Sequence, residues 1–151
     1  MRAATREDLP VVLGLLELHG LPTAGVQDHL KHFLLEFDQT ELIACAGLEV
    51  HGQAGLLRSV AVDANHRSHG LGTKLVQAML GRARTQHLSS ISLLTETAQG
   101  YFPRFGFQIT PRDALPTSLY ASAEFRGACP DSAIAMTLLL DQSNSSNDSH
   151  A

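Results

Sequence analysis

Apolar positions change period several times along the chain, and each change marks an element. After Thr5 and Asp8, a pairing that opens helices because a Thr hydroxyl accepts from a first-turn amide, Leu9, Val12, Leu13 and Leu16 recur at helical spacing. Gly20 and Pro22 end that pattern. A second short helix is expected over Val26–Lys31, and Phe33–Phe37 reads as a strand, with a helical continuation as the alternative. Asp38-Gln39-Thr40 reads as a turn. Glu41–Val50 and Ala54–Val62 flank the short connector His51-Gly52-Gln53, which predicts an antiparallel hairpin.

Gly70–His87 carries the clearest helical pattern. Leu71, Leu75, Val76, Met79, Leu80 and Ala83 form one apolar face, while Lys74, Gln77, Arg82 and Arg84 fall largely outside it. Ser90–Leu94 reads as a buried strand, Ala98–Phe105 as a short helix interrupted by Gly100 and Pro103, and Phe107–Thr110 as a short strand. Ala114–Arg126 is a helix or a structured loop, and Ala133–Leu140 a closing strand. Residues 1–140 thus form one domain, and the Ser-, Asn- and Asp-rich stretch 141–151 reads as a disordered tail. The order βααβββ, then αβαβ, then a last strand predicts an α/β fold with a mixed sheet and helices on both faces.

With 151 residues, 44% of them apolar and 17% charged, the chain suits a single globular domain. A net charge of −4 and scattered basic residues give no nucleic-acid footprint, but leave room for a small anion in a local pocket. The first eight residues hold no apolar signal core, and no apolar run approaches the roughly 20 residues that span a bilayer, so a cytoplasmic protein is expected. Cys45 and Cys129 lack metal-ligand spacing and suit a reduced compartment, Cys45 reading as a buried small hydrophobe. His29 and His32 lie three apart, and His66 and His69 share a loop; without an HExxH or comparable set, no metal is expected.

The chemistry concentrates where the strand Leu56–Val62 runs through Asp63–His69 into the long helix. Amides at such a junction lack intrahelical partners, and the helix dipole adds positive potential there. Gly70 and Gly72 would let an anion such as a pyrophosphate approach the backbone closely. Two glycines one residue apart also serve an ordinary turn. The third glycine of a dinucleotide fingerprint and the Gly-Lys-Ser/Thr of a P-loop are both absent.

Arg67-Ser68-His69-Gly70-Leu71-Gly72 resembles the (Gln/Arg)-x-x-Gly-x-(Gly/Ala) motif of the GNAT acetyltransferase superfamily. A Val-Ala-Val strand end precedes it, a long helix follows, Phe105-Gly106-Phe107 comes later, and the element order agrees from Met1 to Leu140. The resemblance implies a central, mostly antiparallel sheet whose fourth and fifth strands splay apart around acetyl-CoA. Val60, Ala61 and Val62 would pair with the pantetheine arm, the Val62 amide stabilising the oxyanion. Beyond Arg67, residues Ser68, His69, Gly70, Leu71, Gly72 and Thr73 would supply amides or a hydroxyl to the pyrophosphate.

A narrower resemblance rests on Leu21-Pro22-Thr23, Ala46-Gly47-Leu48-Glu49, Leu56–Val62, Leu93–Ala98 and Cys129-Pro130-x-Ser132-Ala133, which are similar to the arsenic-resistance N-acetyltransferases. It implies direct transfer to the amine of a small amino-acid-like compound, a class that includes organoarsenical and phosphinic analogues. A non-catalytic acetyl-CoA sensor and a peptide or lysine acetyltransferase are the alternatives.

Two positions depart from the superfamily pattern. Alignment on Gly106-Phe107 puts Phe102 where many members carry a proton-donating Tyr against the coenzyme, with Tyr101 expected to point elsewhere on a helix. Thr95 replaces an Asn that helps hold CoA. Glu49, placed ahead of Glu96, is the candidate general base, a solvated strand-end carboxylate being the alternative for each. Arg58, charged within an apolar strand, either grips an anionic group of the acceptor or forms a salt bridge with Glu49 across the hairpin. Ser59 is expected on the opposite strand face from Arg58. Tyr120, Glu124 and Arg126 are candidate acceptor contacts. A homodimer through Ala133–Leu140 is compatible with the pattern.

Overall fold

The computed structural model describes residues 1–67, 69–127 and 132–140. The predicted tail, Ser68 and Cys129 lie outside the described residues. The strands are β1 (Arg2–Ala3), β2 (Phe33–Asp38), β3 (Glu41–His51), β4 (Ala54–Val62), β5 (Ser90–Thr95), β6 (Gln108–Ile109) and β7 (Ile134–Leu139). Two α-helices accompany them, α1 (Leu9–Leu18) and α2 (Leu71–Thr85). The strands form one sheet in the order β1-β2-β3-β4-β5-β7-β6. Its only parallel pair among the described residues is β4 with β5.

The helices take opposite faces because successive strand side chains alternate. Leu34, Ala46, Leu48 and Leu57 face α2 through Leu75, Val76 and Met79. Phe33, Leu35, Cys45 and Ala61 face α1 through Val12, Leu15 and Leu16. Each Leu or Val fully buried this way contributes about 1.5–3 kcal/mol. Cys45 is the buried small hydrophobe expected; burial pushes its thiol up to about 12, and its Sγ donates to Ser59 O at 3.2 Å.

Two expected helices are 3-10 turns instead. Val26–Lys31 becomes a turn over Gln27–His32, and Ala98–Phe105 keeps only Phe102–Phe105, between Gly100 and the positive φ of Gly106. Ala114–Arg126 resolves into turns including Thr117–Ala121 and Ala123–Phe125. Pro111 and Pro116 favour an extended residue before them, which breaks any longer helix. Those turns place Leu115 and Leu119 over Ala54, Leu56 and Ala135, covering the sheet beside the fourth strand.

The feature that positions the site is a bulge in β4. Gly47 pairs with Arg58, but Cys45 pairs with Ala61, so Ser59 and Val60 together oppose Ala46. Ser59 takes the strain at φ 59°. An extra residue bends a strand and raises its twist. Just ahead of the bulge β4 leaves β5: their pairing covers only Ala54↔Ser90, Gly55↔Ile91 and Leu56↔Ser92. β4 continues to Val62 against β3, and β5 continues to Thr95 against β7. The inner edges therefore splay apart.

Candidate active site

A cleft of about 1000 Å³ opens where β4 and β5 part. Residues 57–62 of β4 form one wall, Leu93–Thr97 the other, and Gly70–Thr73 close one end. His19–Pro22, Glu124 and Ala133 surround the other parts of the rim.

Val62 shows how the β4 edge is presented. Its carbonyl accepts from His19 Nε2 at 3.0 Å and from Arg67 Nε at 3.2 Å, while Asp63 N bonds Ile43 O on the β3 side at 2.7 Å. In an extended strand the N–H and C=O of one residue leave on the same side, alternating along the chain. The Val62 amide therefore faces the cleft, as does Val60 two residues earlier. His19 was not singled out in the sequence; its place after α1, opposite a strand far along the chain, leaves no local signal.

At the closed end Gly70 caps α2 with φ 74° and ψ 14°. A Cβ there would meet nothing within 4 Å, so the position is open on the cleft side and yet conformationally demanding. Its carbonyl takes the first intrahelical bond, from Lys74 N at 3.0 Å, which leaves the amides of Leu71, Gly72 and Thr73 without helical acceptors. Gly72 sits between Val62 Cγ2 and the Tyr101 hydroxyl, 3.4 and 3.6 Å from where its Cβ would lie. Backbone donors gathered in this way suit an anion. His69 is exposed on the same loop.

Tyr101 corrects an expectation. Without an α-helix over 98–105, its side chain turns into the cleft, where its hydroxyl and Thr73 Oγ1 are 2.9 Å apart. Phe102 also borders the cleft but is 7% exposed and stacks edge-on against Phe107 at 5.8 Å, a core contact. The Thr95 hydroxyl caps the loop after β5, accepting from Ala98 N at 2.9 Å.

Arg58 anchors a buried ionic network beside the cleft. Its Nη1 donates to Glu49 Oε2 at 2.6 Å, Nη2 to Pro22 O at 3.2 Å and Nε to Ser59 Oγ at 3.1 Å. Glu124 Oε2 lies 3.4 Å from Nε. On the far side of Glu49, His51 Nε2 donates to Oε1 at 2.7 Å and His29 Nε2 stands 3.4 Å from the same oxygen. Burial opposes the charged form of Glu49, but hydrogen bonds from His51 and Arg58 outweigh it and hold the carboxyl below its ordinary value. Burial likewise keeps the His29 imidazole below its usual range.

The salt bridge expected as one reading of Arg58 is therefore present, and the guanidinium borders the cleft as well. Ser59 is corrected: the bulge breaks the alternation, so its hydroxyl lies on the same side as Arg58. Glu49 is corrected too, because its oxygens are engaged by Arg58 and His51 and the residue does not border the cleft. Glu96 does border it and is exposed, 3.5 Å from Ser132 Oγ. Tyr120 stands apart, 41% exposed, its hydroxyl donating to Arg112 O at 2.8 Å and its ring against Phe125. Arg126 is exposed and also stands apart, while Glu124 borders the cleft. Among the described residues no helix is long and apolar enough to cross a membrane.

Comparisons with known proteins bear on this arrangement. The profile of the acetyltransferase (GNAT) family matches residues 7–107. Amino-acid acetyltransferases of Pseudomonas putida and Azotobacter vinelandii are each 31% identical over 127 residues, 78% of this chain. The chain spans only 29% of the length of those relatives. Among solved structures, N-acetylglutamate synthase from Neisseria gonorrhoeae, complexed with coenzyme A and N-acetyl-glutamate, superposes with a TM-score of 0.78 at 22% identity, over 93% of this chain and 35% of that one. Rv2747 from Mycobacterium tuberculosis, in complex with CoA and NLQ, gives 0.75 at 20% identity, over 93% and 98%. At those identities the structures establish the shared fold. With the profile match over most of its length, the chain belongs to the acetyltransferase (GNAT) family.

Proposed function

We propose that this chain transfers the acetyl group of acetyl-CoA to the amine of a small amino-acid-like acceptor bearing an anionic group. The observation that carries the proposal is the open inner edge of β4 beyond Leu56, running toward the glycine seat at Gly70–Gly72. The residues fit the coenzyme: an extended edge with an inward-facing Val62 amide suits an amide-bearing arm, and backbone donors at a helix start suit a pyrophosphate.

Acetyl-CoA supplies an activated thioester. The Val62 amide donates toward charge developing on an acyl oxygen, a role that a preset donor performs without reorganisation. The acceptor nitrogen forms the new C–N bond as the C–S bond breaks. Tyr101, whose hydroxyl lies beside Gly72 and Thr73, is the candidate to protonate the departing thiolate. That hydroxyl favours an enzyme over the acetyl-CoA sensor that Phe102 alone would suggest. Glu96, bordering the cleft and open to water, is the candidate to receive the amine proton through a water molecule. Glu49 then serves as a positioning residue for Arg58.

The Arg58 fork is already held by Glu49, Pro22 O and Ser59, so it shapes the cleft wall, and an acceptor with a carboxylate, phosphinate or arsenical acid beside its amine rests on the relatives instead. The relatives named amino-acid acetyltransferase support the same class, and an arsenical or phosphinic amino-acid analogue belongs to it by chemistry. The test combines calorimetry with coenzyme A and acetylation assays on amino acids, their phosphinic and arsenical analogues, and a lysine peptide. Binding of coenzyme A, its weakening in Gly70→Val, and preference for a small anionic amino compound are expected. Absence of heat with coenzyme A, or preference for the peptide, would overturn the proposal.

A further inference from the structure

We infer that His29, Glu49 and His51 form a binding site for a divalent transition-metal ion of the zinc class, set behind Arg58 and outside the acetyl-transfer cleft. Their ligand atoms, one from each residue, lie within 4.8 Å of one another. Both imidazoles bring the same ring nitrogen to one oxygen: His51 Nε2 is 2.7 Å and His29 Nε2 3.4 Å from Glu49 Oε1. That oxygen has two lone pairs, so both imidazoles face it as they would face a shared ion.

Two separate elements build the set. Glu49 and His51 are two apart on β3 and so share a face, while His29 comes from the turn Gln27–His32 packed against it. Zinc bonds to His nitrogen and carboxylate oxygen of about 2.0–2.2 Å put neighbouring ligand atoms roughly 3–3.5 Å apart. The His51–Glu49 contact must therefore open by less than an ångström, within reach of side-chain rotation. Three protein ligands leave a fourth position for water. Access exists, since the His29 and His51 side chains are 23% and 13% exposed.

The surroundings favour a cation. Arg58 holds the other oxygen of Glu49, which fixes the carboxylate as outer partners of metal ligands commonly do. The ion would tie the Gln27–His32 turn to β3, stiffening the wall that carries Arg58. Set outside the cleft, the ion would act on the transfer site only through that wall.

The test is titration of the chelator-treated full chain with Zn²⁺ by calorimetry, and with Co²⁺ by visible absorption. One tight equivalent is expected, with ligand-field bands of a low-coordinate Co²⁺ centre. His29→Ala should weaken binding by more than the roughly 10–100-fold that loss of an outer partner costs. His66→Ala, a control for the separate Asp38–His66–Asp63 contacts, should leave binding unchanged. His51→Ala should match His29→Ala; if it fails to fold, the more exposed His29 decides the matter. No tight Zn²⁺ binding, or unchanged affinity in His29→Ala, would overturn the inference. Neither readout depends on acetyl transfer, so the two proposals fail separately.

Discussion

Removing the charge of Glu49 should cost far less once Arg58 has gone. Glu49→Gln keeps the side-chain shape and an acceptor for Arg58 while deleting the anion that faces a guanidinium at 2.6 Å. Both side chains are almost fully inaccessible, at 0% and 1% exposure, so solvent screening does not erode the pair. Charge centres about 4 Å apart interact by roughly 4 kcal/mol at an effective dielectric constant near 20. Glu124, 3.4 Å from Arg58 Nε, retains part of the compensation, which places Glu49→Gln near about 3 kcal/mol, the lower end for breaking a buried pair. In the Arg58→Met background the same change should cost about 1 kcal/mol or less, because the carboxylate there has already lost its main partner. Urea unfolding of wild type, both single variants and the double variant yields the coupling directly. Additive costs would show that the pair is not what holds this part of the fold, and would remove the reason to read Glu49 as the residue that positions Arg58.

Three further outcomes follow from the geometry. Gly47→Ala should destabilise by about 1–3 kcal/mol, since a Cβ there would overlap the buried Phe33 ring, whereas Gly81→Ala, with nothing within 4 Å in mid-α2, should stabilise by about 0.5–1 kcal/mol; equal signs in urea unfolding would refute this. Tyr101→Phe should lower kcat by about 10²-fold with little change in acceptor KM, and an unchanged kcat would remove Tyr101 as the acid. The Arg2 guanidinium, then the Thr5 amide, hold Asp8 well below the ordinary carboxylate range. A group depressed in the folded state contributes stability above its unfolded pKa of about 3.9 and loses it as pH falls through and below that value. Arg2→Ala should therefore flatten the stability profile below about pH 4, and an unaltered acid limb in thermal melts would refute the assignment.

Much of the fold was legible because its signals are local. The apolar period of α2, the connector after His51 and the paired glycines at Gly70 and Gly72 each act within a few residues. The failures share a cause. Alignment on Gly106-Phe107 places Phe102, while the helical phase that turns Tyr101 away is one that Gly100 and Pro103 prevent from forming. Ser59 was assigned a face by strict alternation, which a single inserted residue reverses. Another contact has no record along the chain at all: His29 and His51 meet at Glu49 from different elements.

The sequence by itself determined the order of the longer strands with α1 and α2, the buried faces of those two helices, and the glycine-lined start of the long one, because backbone preference and burial periodicity are properties of short stretches. Tertiary structure alone decided how far β4 and β5 stay paired, which side chain enters the cleft at 101 and 102, and which charges surround Arg58. Those outcomes depend on register and on the approach of segments far apart in the chain. A shift of one residue at Ser59 turns a face over, and no pattern within the strand records it.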